Sequence, residues 1–178
     1  MDKIKITKIA PDVLTHKGFD HRGCHGHNCE DACCFEGCTV DRESYDLIFK
    51  HRAEIEKATG RKLEECFAEE WLHENDFLGG DAIWARAFNN TCAFHLNGTK
   101  GCALWLLVMQ GKAPKRIIPS ICRLYPLTWN NGELKMYVGI QDSCNTKCHR
   151  NSGTRKILET QKEAVDDIFE IDPLLIPK

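Results

Sequence analysis

The sequence predicts an α+β fold: short helices, a β-hairpin and a C-terminal helix arranged as a small irregular domain stapled by metal. Three observations carry that expectation. Eleven of the 178 residues are cysteines, and five of these fall between Cys24 and Cys38. Apolar residues recur at helical spacing in some segments and alternate in others. The segments are short and are punctuated by Gly, Pro and Asn, the residues of turns.

Taken in order, residues 3–9 (KIKITKI) alternate apolar and polar, as a half-exposed strand does. Residues 19–38 are rich in Gly, Cys and His without any period, and read as irregular chain shaped by whatever binds the cysteines. Asp41 is placed to cap a helix that runs to about Thr59 and stops at Gly60. Tyr45, Ile48, Phe49, Ile55 and the stem of Arg52 form its apolar stripe. A second helix is expected over 62–73, with Leu63, Cys66, Phe67 and Trp71 on one face and Cys66 acting as a small core residue. Residues 82–88 suit a strand, and 102–110 a short apolar helix closed by Gly111. Residues 124–129 and 133–140 form a hairpin about Asn131-Gly132, the pair that supplies two positive φ angles, with Leu134, Met136, Val138 and Ile140 facing inward. A last helix over 153–169, capped by Ser152, buries Ile157, Ala164, Val165 and Ile168.

The composition, 42% hydrophobic and 28% charged, is that of an ordinary globular chain, here one domain over residues 1–178 with its core at about 20–148. A net charge of -2 offers no polyanion-binding face, which argues against nucleic acid. The longest apolar run, Ala103 to Met109, falls far short of the roughly twenty residues that span a membrane. The first residues lack an apolar signal core, so the expected location is the cytoplasm, where thiols stay reduced.

The cysteines then read as metal ligands. Their number is odd, and a chain of this length builds a core without a disulfide scaffold. Cys29 and Cys33, Cys34 and Cys38, and Cys144 and Cys148 are each four apart, a spacing that turns both side chains one way across a helical turn or around a cation. Cys92, Cys102 and Cys122 come singly, so distant segments must converge and metal binding is coupled to folding. Adjacent side chains diverge, so Cys33 and Cys34 fit one ligand in each of two sites, two ligands on a polynuclear cluster, or one ligand beside a packed thiol. Thiolates select zinc, copper(I) or iron–sulfur clusters over hard ions. Trp105, Tyr125 and Trp129 stand where they shield a cluster pocket or simply fill core. His25, His27 and His95 are neighbouring candidate ligands; His21, His149 and the carboxylates Asp20, Glu30, Asp31 and Asp142 are weaker ones.

Cys24-x4-Cys29-x3-Cys33-Cys34, Cys92-Ala-Phe-His, Gly101-Cys102-Ala-Leu-Trp, Ser120-Ile-Cys122-Arg-Leu-Tyr-Pro126 and Cys144 together resemble the YkgJ-type cysteine-cluster family, described as zinc- or iron-chelating, in its larger branch. The resemblance covers roughly residues 20–148. It implies metal ligation by Cys29, Cys33 or Cys34, Cys92, Cys102, Cys122 and Cys144, with Cys24 fitting a longer variant of the pattern. Cys38 and Cys148 do not map onto it. The same pattern occurs in lysine methylases that act on flagellin, which implies a methyl-transferring enzyme or accessory factor as an alternative.

The first expectation is thus a zinc- or iron-binding protein with a structural or metal-handling role, its partners a metal ion and a protein. An iron–sulfur redox protein is the second. For an enzyme, Glu69, Glu70, His73 and Glu74 are candidate bases, though they read equally as a solvated helix face. No HExxH, G-x-S-x-G, P-loop or nucleotide-cradling Gly-rich loop occurs, and no C-x-x-C pair supports a thiol–disulfide switch.

Overall fold

A computed structural model describes residues 2–18, 32–137 and 154–176. The fold is α+β. Strands β1 (Ile4–Ile6) and β2 (Lys8–Ile9) lead into helix α1 (Pro11–Thr15), whose proline sits where its missing N–H costs nothing. Then come β3 (Cys38–Asp41), α2 (Arg42–Lys50), α3 (Arg52–Thr59), β4 (Phe67–His73), β5 (Asp81–Ala85), α4 (Ala103–Met109), α5 (Ser120–Leu124), β6 (Leu127–Asn130), β7 (Glu133–Met136), α6 (Ile157–Thr160), α7 (Lys162–Ile168) and β8 (Phe169–Ile171).

Three small sheets organise these elements. β3, β5 and β4 form an antiparallel sheet with β5 central, in a register that sets Cys38 opposite Ala85 and Val40 opposite Ile83. β2 joins β7 in parallel, β7 pairs with β6 as the hairpin, and β1 pairs in parallel with β8. The hairpin turn is the one expected: Asn131 and Gly132 take φ of 50° and 71°. One core, with Val40, Ile48, Ile55, Leu63, Phe94 and Ile118, lies under the first sheet. The other, with Ile6, Val13, Leu127, Leu134, Ile157 and Ile168, joins the two termini to the hairpin.

Several expectations need correction. The helix placed over 62–73 is a single 3-10 turn at Leu63–Glu65 followed by strand β4. Phe67 and Trp71 are four apart, which fits a helical turn and also two strand repeats. A bulge between them in the β4–β5 ladder lets Phe67 be buried and Trp71 half-buried while Glu69 and Glu70 face water. Cys66, at the join, is buried in the core as expected, and its thiol donates to the Lys62 carbonyl. The helix expected from Asp41 to Thr59 is two helices broken at His51, where φ is -105° and ψ 26°; Asp41 caps the first through Ser44 N–H and Gly60 ends the second in the left-handed region. The C-terminal helix is likewise split, at Gln161, and yields to strand β8 at Phe169. The strand expected from residue 124 starts at Leu127, because Ser120–Leu124 is helical. The expected cap of the C-terminal helix, Ser152, and the hairpin residues Val138 and Ile140 lie outside the described residues. Among the described residues no helix is long and apolar enough to cross a membrane.

Candidate metal centre

Six of the described cysteines line one cavity of about 220 Å³: Cys33, Cys34, Cys38, Cys92, Cys102 and Cys122. They come from a 3-10 turn (Ala32–Cys34), the first residue of β3, two irregular segments and α5. Segments as far as 89 positions apart, from Cys33 to Cys122, therefore meet, as the isolated cysteines required.

Backbone bonds hold the convergence. Cys92 N–H donates to the Cys34 carbonyl, and Ala93 N–H to Arg86, which pins the loop after β5 against the 3-10 turn. His95 bridges Cys102, and Ala103 N–H donates to the Phe94 carbonyl, folding residues 92–103 back on themselves so that both cysteines face one space. Gly37 makes the step from Cys34 to Cys38 possible. Its φ is 84°, and a Cβ there would lie 2.0 Å from the Ala85 carbonyl oxygen. Gly37→Ala is expected to cost about 3 kcal/mol or more, from the left-handed backbone and the backbone clash together. Urea unfolding measures this, and a variant as stable as the parent would show that the start of β3 yields freely.

Helix α5 carries Cys122 and is clamped at both ends by buried polar side chains. At its N-terminus Asp41 accepts from Ser120 N–H at 3.0 Å and from the Ser120 hydroxyl at 2.9 Å, while its other oxygen takes Ser44 N–H at 3.2 Å. One carboxylate thus serves the N-termini of α2 and α5, where helix dipoles favour negative charge. It also ties the end of the Cys38 strand to the start of the Cys122 helix. At the other end the buried Gln161 amide donates to the Tyr125 carbonyl at 2.9 Å and lies 3.4 Å from that of Leu124.

The thiols fall into two groups that share Cys92. Cys33 and Cys34 sulfurs lie 3.9 Å apart, with Cys102 and Cys92 as their next charged neighbours. Cys38 lines the cavity with Cys122 and Cys92. Those neighbouring thiols, with burial, push Cys38 up. The bond from Cys33, then burial, does the same to Cys34, and burial raises Cys102. The neighbouring Cys38 thiol holds Cys92 down. For Cys34, Cys38 and Cys102, which resist ionisation, a soft cation would reverse the balance, because bound metal makes the thiolate the favoured form.

The donor set fits zinc or iron: all sulfur, buried or half-buried, with Phe94, Leu104, Trp105 and Tyr125 as an apolar wall. Among the described residues, however, no three Cys, His, Asp or Glu side chains sit close enough to hold an ion. The six cysteines share the lining of the cavity with apolar side chains rather than forming a closed tetrahedral shell. The seven described cysteines are thiols, none joined to another in a disulfide.

The sequence candidates divide as follows. Cys33, Cys34, Cys92, Cys102 and Cys122 meet at the cavity. Cys24, Cys29, Cys144 and Cys148, with His21, His25, His27, His149, Asp20, Glu30, Asp31 and Asp142, lie outside the described residues. His95 is not on the cavity wall; it lines a separate open hollow with Arg61 and Phe88, its Nδ1 3.0 Å from the Leu96 carbonyl. Trp105 and Tyr125 line the cavity, but Trp129 packs edge-on to Phe169 in the other core. Glu69, Glu70, His73 and Glu74 are exposed and none lines the cavity; they belong to strand β4 and the turn after it, not to a helix. Cys38, whose role the resemblance left open, lines the same cavity as Cys92 and Cys122. Its four-residue offset from Cys34 was the signal, but that offset does not say which strand face the side chain takes. Comparison with protein-family models, with curated proteins and with solved structures returns no match to this chain.

Proposed function

We propose that the protein binds zinc or iron through its convergent cysteines, in a structural or metal-handling role, and that it belongs with the cysteine-cluster proteins its motifs resemble. The observation that carries this reading is the meeting of six cysteines from separate segments on one cavity. A protein that needed these residues only as small apolar filler would not gather them in one place. Cys34, Cys38, Cys92, Cys102 and Cys122 would hold the metal, with Cys33 beside them. When bound, the metal supplies a fixed charge that stabilises thiolates and crosslinks the chain. The chain itself supplies the apolar wall that excludes water and the Asp41 and Gln161 clamps that aim Cys122. A reducing compartment such as the cytoplasm is part of the proposal, since oxidation to disulfides would consume the ligands.

An iron–sulfur cluster is the second reading, favoured by the cavity's size and by a Cys33-Cys34 pair that a single tetrahedral ion would strain. Anaerobic purification, a visible spectrum and metal analysis by mass spectrometry decide between them. Zinc at one or two per chain in a colourless protein is the expected result for the first reading, and a brown protein that bleaches on reduction for the second. A folded protein with no metal and fully titratable thiols overturns both.

A further inference from the structure

The chain segment 88–102 serves two spaces. Cys92, Phe94 and Cys102 line the cysteine cavity, while Phe88, Thr91, His95 and Lys100 line an open hollow of about 470 Å³. Arg61, just after α3, completes the basic part of that hollow's wall, and no Asp or Glu lines it. The chain holds 26 acidic residues against 24 Lys and Arg, so a wall with Arg61, His95 and Lys100 and no carboxylate departs from the average surface.

The guanidinium of Arg61 is held ready and left unused. Arg42, Arg52, Arg116, Arg123 and Arg155 each pair with a carboxylate. Arg61 pairs with none among the described residues. Its Nη1 donates to the Thr59 carbonyl at 3.3 Å, and its guanidinium carbon lies 5.1 Å from the centre of the Phe88 ring. The ring contact fixes the group without using its hydrogens. Nε and Nη2 meet no acceptor among the described residues, and neither is sealed from solvent, so an anion in the hollow can reach them. Nε–H and one Nη2–H leave the same edge side by side, the geometry that grips an oxyanion through two parallel bonds.

Further donors stand beside it. Lys100 is exposed and makes no hydrogen bond or ion pair among the described residues. The backbone N–H groups of Gly98, Thr99 and Lys100, on the same wall, likewise donate to nothing in the described chain. Successive free backbone N–H groups bind anions. A carboxylate would be satisfied by the Arg61 edge alone. The surplus of donors matches a group with three terminal oxygens and a charge of about -2, a phosphate monoester. Phe88 and Leu96 give the organic part of such a molecule an apolar surface.

We infer that this hollow binds a small phosphate monoester, with its phosphoryl oxygens on the Arg61 edge, Lys100 and the Gly98–Lys100 backbone. None of these residues is a cavity cysteine, so this inference and the metal-binding reading stand or fall separately.

The test titrates the full chain, as purified, calorimetrically with phenyl phosphate, inorganic phosphate and acetate, at ionic strength held constant with sodium chloride. Saturable binding of phenyl phosphate is expected, with inorganic phosphate competing more weakly and acetate weaker by about tenfold or more. Arg61→Gln is expected to weaken phenyl phosphate binding about tenfold or more, and Lys100→Gln several-fold, with far-UV circular dichroism and metal content unchanged. Lys112→Gln, an exposed lysine that does not line the hollow, is expected to leave binding unchanged. The inference is overturned if phenyl phosphate does not bind the parent protein, if acetate or inorganic phosphate binds as tightly, or if Arg61→Gln binds equally well. Should Arg61→Gln fail to fold, equal affinities in Lys100→Gln and Lys112→Gln overturn it instead.

Discussion

On the proposed metal-binding reading, Cys92→Ser is expected to strip the protein of metal and to remove at least about 3 kcal/mol of stability, with Cys66→Ala as the contrasting variant. Cys92 is bonded to Cys34 through the backbone and lines the cavity with Cys38, Cys102 and Cys122. Serine is a poor ligand for a soft metal, and its loss opens both halves of the donor ring at once. Structural zinc sites stabilise small domains by about 10 kcal/mol or more in favourable cases, so even partial loss is large. Cys66 is equally buried, but it sits in the core at the start of β4 and does not line the cavity. Burial pushes its thiol up to about 11, so it stays protonated, and Cys66→Ala is expected to cost about 1–2 kcal/mol and leave metal content intact. Metal analysis beside denaturant unfolding reads both effects. Equal metal loss in the two variants would mean that cysteine burial in general, rather than this cavity, governs metal binding.

Asp41→Ala is expected to destabilise the fold by about 3–5 kcal/mol, the second largest single effect. The side chain is 5% exposed and accepts from two backbone N–H groups and a hydroxyl on two different helices. Removing it leaves those donors buried without an acceptor and deprives two helix N-termini of their negative charge. Because Asp41 ends the strand that begins with Cys38 and holds the helix that carries Cys122, metal affinity is expected to fall with stability. Asp41→Asn keeps one acceptor oxygen and is expected to retain part of both. If metal affinity is untouched while stability drops, the carboxylate serves the fold alone and does not position Cys122.

The helix caps, the hairpin and the apolar helix after Cys102 were legible because each is set by neighbours in sequence. Asp41 before Arg42, Gly60 after Thr59 and Asn131-Gly132 act within a few residues, and their backbone angles follow from their own side chains. The segment 62–73 was misread because Phe67 and Trp71 satisfy two periods, and only pairing with β5 selects the strand. The breaks at His51 and Gln161 carry no Gly or Pro to announce them, and the Gln161 amide bonds Leu124 and Tyr125 carbonyls more than thirty residues away in sequence.

The same division holds for the site. Cysteine number and the isolated positions of Cys92, Cys102 and Cys122 were enough to predict convergence, since this depends on composition and spacing, while the softness of sulfur supports the class of metal proposed. That Cys38 joins the other cavity cysteines, and that His95 and Trp129 stand elsewhere, were decided only by tertiary structure. Those facts depend on which face of a strand or helix meets which neighbour, and strand pairing and core packing settle that through contacts between residues far apart in the chain.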